Sequence, residues 1–318
     1  MGSGHFSWLG HGGHSHDHAG SVDDALRDSA VGIRAVKTSL VVLGITAAAQ
    51  LVIVAISGSV ALFADTIHNF SDALTAVPLW IASSVSRRAA TRRYTYGFGR
   101  VEDLAGLFVV VMIAISAVVA AVEAVLRLVD PVPLAHLGWV AAAGVVGFLG
   151  DEVVALYRIR VGTCIGSAAL RADGMHARAD GLTSLAVVAG AIGAALGFPA
   201  ADPIVGLVIA GVIGVVLIFA ARDVFGRLLD RVDPKLVDSA VTVLAGRPGV
   251  RAVRRVRMRW VGHQLEADAE LDVDPSLSLD DAHTVAHGAE HELAHSVPKL
   301  ASVIVHAYPA HDRQHTNI

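Results

Sequence analysis

Cysteine is nearly missing from this chain: Cys164 stands alone among 318 residues. A single thiol excludes an intramolecular disulfide and any thiolate metal cluster within the chain. Charge is scarce as well, at 17% of residues, and aromatics at 5%, while hydrophobic residues reach 54% and the mean hydropathy is +0.58. That balance excludes an ordinary soluble domain and places the chain in a membrane. A removable signal peptide is not expected either, because no charged segment is followed by an apolar stretch and a small-residue cleavage site; the first span does the targeting.

What is present is a series of long apolar runs. A helix needs roughly 20 mostly apolar residues to cross about 30 Å of hydrocarbon, where no water can satisfy an open backbone. That ruler predicts six spans, at 36–57, 60–83, 105–125, 134–157, 170–196 and 203–220. Arg27, Arg34 and Lys37 precede the first; Arg87, Arg88, Arg92, Arg93 and Arg100 follow the second; Arg158, Arg160 and Arg171 follow the fourth; Arg222 and Arg227 follow the sixth. The opposite loops hold one arginine between them, so both termini are expected in the cytoplasm. Composition suggests a bacterial plasma (inner) membrane.

Beyond about residue 222 the texture becomes that of a soluble domain. "PKLVDSAVTVLAG" has helical periodicity and ends at a glycine, while "VRAVRRVRMRWV" and "QLEADAELDV" alternate with period two around a turn at "GH". A helix over 279–295 and a strand "LASVIVHAY" complete an αββαβ order, with Leu265, Ala267, Ala269 and Leu271 facing one way and Glu266, Asp268, Glu270 and Asp272 the other.

Two polar stretches interrupt the apolar runs. "ADTIHNFSDALT" in the second span and "ADGMHARADGLT" in the fifth share Ala, Asp, His, Asp, Leu and Thr at the same offsets. Asp, His and Asp at i, i+3 and i+7 fall on one helix face. Ionisable groups in a span are costly and mark functional positions. Two such helices facing each other converge His68, Asp72, His176 and Asp180 into a tetrahedral site of two nitrogens and two oxygens, suited to a borderline divalent metal, zinc first. Asp65 and Asp173, one turn earlier, either orient the imidazoles, line the entry path or serve the helix start. Glu123, Asp151 and Glu152 lie in the third and fourth spans with no spacing that assigns them a role.

These features resemble the cation diffusion facilitator family of zinc-type metal/proton antiporters over nearly the whole chain. The likeness rests on the six spans, "HNFSD", "HARAD", "YTYGFGRVEDLAG", "DPIVGLVIA" and the tail with "DAHTVAH" and "VIVHAYP". It implies a membrane all-α bundle of six transmembrane helices with a cytoplasmic α+β, ferredoxin-like C-terminal domain, and a homodimer in membrane lipid exchanging divalent metal for protons. It also implies that His68, Asp72, His176 and Asp180 form the transport site, and that Asp268, His283 and His306 match positions used for regulatory metal. Arg100 matches a basic position paired with an acid after the sixth span, here Asp230. A second loop site of histidines in some members falls on Tyr94 and Phe98. The expected organisation is a His-rich disordered tail (1–35), a transmembrane domain (36–221), a metal-binding domain (222–310) and a C-terminal tail (311–318). Neither an enzymatic activity nor a nucleic-acid partner is expected.

Two further histidine groups stand out. His283, His287, His291 and His295 form a stripe at every fourth residue, and His5, His11, His14, His16 and His18 sit in a glycine- and serine-rich N-terminus. A membrane-anchored metal sensor working through its tail is the rival function, but an anchor has no reason to carry charges in lipid. A passive cation channel is a third, but a four-ligand site holds its ion too tightly for fast conduction.

Overall fold

The computed structural model describes residues 16–57, 76–129, 137–198 and 200–310. The membrane part comprises α1 (His16–Ser57), α2 (Ala76–Ser86), α3 (Arg100–Val129), α4 (Leu137–Ile165), α5 (Ala168–Ala195) and α6 (Ala201–Leu228). His68 and Asp72, with Asp65, lie outside the described residues, so only the end of the expected second span is seen, as α2. The other helices run past the apolar cores of the predicted spans, because a helix continues through the polar membrane surface without cost to its hydrogen bonding. α1 starts at His16, so residues 16–35 are helical where disorder was expected. No proline interrupts that stretch, and it runs without a break into the first span.

Among the described residues four helices are long and apolar enough to cross a membrane: 30–53 within α1, then α3, α4 and α6. Their outward faces carry large apolar side chains such as Val118 and Val122 on α3, Leu149 and Val153 on α4, and Val208 and Phe219 on α6, all exposed as lipid contact requires. α5 is as long but bears Arg171, Asp173, His176, Arg178 and Asp180 in its first half. Most of that half is buried between α3, α4 and α6, with Arg171, Arg178 and Asp180 half-buried.

Glycine lets α4 and α5 meet backbone to backbone. A Cβ on Gly174 would stand 2.9 Å from Ile159 N and 3.1 Å from Ala155 O, and one on Gly144 would stand 2.9 Å from Ser184 O. Small residues at a helix crossing allow this approach, which in lipid replaces the missing hydrophobic drive with close van der Waals contact. The chain then turns from α4 into α5 through Gly166 at φ +79°, and the Ser167 hydroxyl caps α5 by accepting from Leu170 N at 3.2 Å.

The C-terminal domain follows the predicted order: α7 (Pro234–Ala245), β1 (Val250–Val261), β2 (Gln264–Val273), α8 (Leu279–Ser296) and β3 (Leu300–Pro309). Asp233 caps α7 by accepting from Lys235 N at 3.0 Å, and Pro234 occupies the first turn, where its missing N–H is no loss. β1 and β2 form an antiparallel hairpin around Gly262 and His263, and β3 joins β2 in parallel, giving sheet order β1-β2-β3. Leu265, Ala267, Ala269 and Leu271 pack under Ala240, Leu244, Ala286, Ala289 and Leu293 of the two helices, as the period-two pattern predicts. The other face of the sheet carries ion pairs between β1 and β2, including Arg259 Nε to Glu266 Oε2 at 2.9 Å.

Candidate metal centre

The polar half of α5 supplies the described part of the site. His176 is 1% exposed, and its Nδ1 stands 3.5 Å from Asp180 Oδ1, one turn further along the same face. That is longer than an ordinary hydrogen bond. Two donor atoms held at about 2.0–2.1 Å by a tetrahedral zinc would lie about 3.4 Å apart, so the spacing suits one edge of such a site. A neutral imidazole and a carboxylate, each able to take either a metal or a proton, are the chemistry this edge offers.

Asp180 opens onto a cavity of about 140 Å³ between α3, α5 and α6, on the side of the bundle away from the C-terminal domain. At its far end Arg127 Nη1 donates to Asp202 Oδ2 at 3.0 Å and Arg127 Nη2 to Glu123 Oε1 at 2.5 Å. This trio lines the end of the cavity opposite Asp180. Arg127 is the one arginine of the opposite loops; it belongs to the last turn of α3. Asp202 was visible only as the first residue of the "DPIVGLVIA" motif, and the spacing of Glu123 and Arg127 at i, i+4 was the available signal of a pair.

The neighbouring acids divide by partner. Asp173 is fully buried and meets Arg158 of α4 at 2.8 Å, with the arginine side chain 3% exposed. Its charge is thus neutralised across the α4–α5 contact, which favours the structural role over that of imidazole acceptor. Glu152 is held by Arg178 of α5 through two bonds, at 3.2 and 2.8 Å. Asp151 is buried against Gly181, the residue after Asp180.

A second polar cluster lies where the bundle meets the C-terminal domain. Arg100 Nη2 donates to Asp230 Oδ1 at 2.9 Å, so the structure places this predicted pair together, with both side chains 40% or more exposed. Beside it, and buried, Glu102 Oε2 is 2.9 Å from His263 Nδ1 at the β1–β2 turn, and Glu102 also accepts from the Ser167 hydroxyl. Asp103 accepts from Gly262 N at 3.2 Å, while Arg227 donates to Gly262 O at 3.2 Å and stacks 4.2 Å above the Trp260 ring. The sequence pointed to the rim of this joint and missed its interior. Tyr94 and Phe98 pack ring on ring at 4.8 Å.

The three tail residues do not converge within one chain. Asp268 pairs with Arg257 and Ile304, and His306 with Glu270, on the sheet face turned away from the helices, whereas His283 sits on the exposed side of α8 on the opposite face. Alternation along β2 and β3 fixes this: Ala267, Ala269, Val303 and Val305 take the helix side, so their neighbours cannot. Among the described residues no three of His, Cys, Asp or Glu are grouped to hold a metal ion.

Apolar helices around a buried histidine and a cavity-lining aspartate one turn on, joined to a small α+β domain, define a membrane carrier for cations. The chain belongs to the cation diffusion facilitator family of cation efflux transporters: residues 36–229 match the family's cation efflux transmembrane domain and 232–310 its cytoplasmic domain. It is 68% identical over 297 residues to a "Probable cation efflux system protein" of Mycobacterium tuberculosis (strain ATCC 25618 / H37Rv), covering 93% of this chain and 90% of that one. It is 28% identical over 255 residues to the magnetosome protein MamB of Paramagnetospirillum magneticum (80% and 86% covered), and 24% identical over 262 residues to the manganese efflux system protein MneP of Bacillus subtilis (80% and 88% covered). Among solved structures, the MamM C-terminal domain (215–293) aligns with a TM-score of 0.24 at 26% identity, over 24% of this chain and 98% of that one.

Proposed function

We propose that this protein exports a divalent metal, zinc first, from the cytoplasm in exchange for protons, as a homodimer in the plasma membrane with both termini cytoplasmic. The observation that carries this is the buried His176 held 3.5 Å from Asp180, whose carboxylate lines a cavity. His68 and Asp72, on the repeat of the same motif, are proposed to complete the four ligands. On this view the N-terminal segment, transmembrane domain, metal-binding tail and C-terminal end fall near 1–35, 36–221, 222–310 and 311–318.

The exchange follows from the donors. With the cavity facing the cytoplasm, metal binds neutral imidazole and carboxylate and displaces protons. Facing the other side, protons on His176, His68 or the carboxylates remove the lone pairs that hold the ion, and it leaves. The cavity between Asp180 and Asp202 is the proposed exit, with Arg127 closing it by holding Asp202 and Glu123. Two imidazoles favour zinc over manganese, which prefers oxygen-rich octahedral sites. The manganese named for the Bacillus relative is therefore the comparison ion. Asp268, His283 and His306 are proposed to take regulatory metal where two copies of the tail meet.

The test is metal uptake by proteoliposomes under a proton gradient. Losing an outer partner of a metal ligand typically costs about 10–100-fold, so losing the ligand itself in His176→Ala, Asp180→Ala or Asp72→Ala is expected to lower zinc flux by more than about 100-fold. Unchanged flux in these variants sinks the transport-site assignment. Faster manganese than zinc flux overturns the choice of metal, and flux indifferent to the proton gradient overturns the exchange.

A further inference from the structure

We propose that the exposed histidine run His287, His291 and His295 on α8 is a docking strip for a borderline divalent metal ion, with His291 and His295 as its chelating pair. The pair is separate from the transport site and from Asp268 and His306, which lie on the other face of the sheet. Its metal binding does not depend on the export reading; only its use, holding cargo beside the carrier, rests on that reading.

Three observations carry the site. The first is placement: residues four apart on a helix are neighbours on one face, and all three histidines are exposed while Ala286, Ala289 and Leu293 on the other face are buried against the sheet. The run therefore lies on the solvent side of a helix anchored along its whole length. The second is proximity. The His291 and His295 rings stack with centroids 4.4 Å apart and planes 20° apart, so one ion can reach both with small rotations about exposed side-chain bonds.

The third is tautomer. His295 Nδ1 lies 2.8 Å from His291 O, and a main-chain carbonyl can only accept, so Nδ1 carries the proton. His287 Nδ1 lies 3.2 Å from Glu290 Oε2, and a carboxylate likewise accepts. Glu290 is itself fixed, because its Oε1 accepts from Val305 N of β3 at 2.9 Å. Both contacts place the ligating lone pair of the neutral imidazole on Nε2. Metal-binding histidines are oriented in this way, with one ring nitrogen donating to a carboxylate or backbone carbonyl and the other facing the ion. The neighbouring cation, Arg247, is tied to Glu292 at 3.1 Å, so its charge is balanced. The ligand class follows from the donors: imidazole nitrogen selects zinc, nickel, cobalt or copper over magnesium or calcium.

The experiment counts zinc bound by the full-length protein in detergent, by equilibrium dialysis and metal analysis. Two variants are compared with the parent: His291→Ala with His295→Ala, and His295→Ala with Ser296→His, which keeps the number of histidines and moves one off the face. Each is expected to lose one bound zinc with unchanged helix content by circular dichroism. The same loss is expected in a His176→Ala, Asp180→Ala background, which separates the strip from the transport site. Equal zinc counts in parent and double-alanine variant overturn the proposal, as does full retention in the spacing variant, which would show that no chelating geometry is used.

Discussion

His176 with Asp180 on α5 and His291 with His295 on α8 have the same spacing, one helical turn, and nearly opposite surroundings. The first pair is enclosed by three helices; the second lies in water on a helix whose other face is packed. Spacing alone therefore distinguishes little: it places two donors on one face in either case. Burial decides the rest. Around α5 the buried Asp173 is answered by Arg158 and the half-buried Glu152 by Arg178, so that the pair sits in a frame of paired charges. Around α8 a backbone carbonyl accepts from His295 and one glutamate accepts from His287, on side chains exposed to water.

The sharpest way to test this contrast is to remove one member of a buried charge pair. Arg158→Ala leaves Asp173 without its partner inside the bundle, which is expected to destabilise the protein by about 3–5 kcal/mol. The fall in unfolding temperature in detergent measures it, and replacing both residues together, Arg158→Met with Asp173→Leu, is expected to recover most of the loss. A milder effect is expected at the joint between bundle and tail. Glu102→Gln or His263→Ala removes a buried hydrogen bond worth about 1–3 kcal/mol when one partner is left unsatisfied. Arg100→Ala breaks an exposed pair worth about 0–1 kcal/mol. Hydrogen exchange at the β1–β2 turn reports both, and greater exposure of that turn in Arg100→Ala than in Glu102→Gln would reverse the ranking. Smallest of all, replacing His287, His291 and His295 by Gln is expected to alter folding stability by no more than about 0.5 kcal/mol, measured as the same unfolding temperature. A larger change would mean that the strip is part of the fold and that the contrast with α5 is false.

Much of this architecture is written in the period of the apolar residues. The tail was legible almost to the residue, because Leu265, Ala267, Ala269 and Leu271 can face a core only if the strand is paired in one register. The α5 half of the site was legible because charges inside an apolar run have few explanations. What the sequence could not convey was which distant residues meet. Arg158 and Asp173 come together through glycines on α4 and α5 that carry no signal of their own crossing. Arg127 looked like a loop residue because helix ends have no marker as firm as the apolar run itself. Convergence of Asp268, His283 and His306 was expected from their order along the chain, yet the same alternation that revealed the strands sends Asp268 and His306 to one side of the sheet and leaves His283 on the other. His68 and Asp72 rest on the internal repeat.

The close approach of α4 and α5 limits how the carrier can move. Where the two backbones come this close, at Gly144 and Gly174, shifting one helix against the other means breaking main-chain contact, so the two are expected to move together. Any alternation of access to His176 then has to hinge along the seams that α5 makes with α3 and α6, and it is in those seams that the cavity already lies.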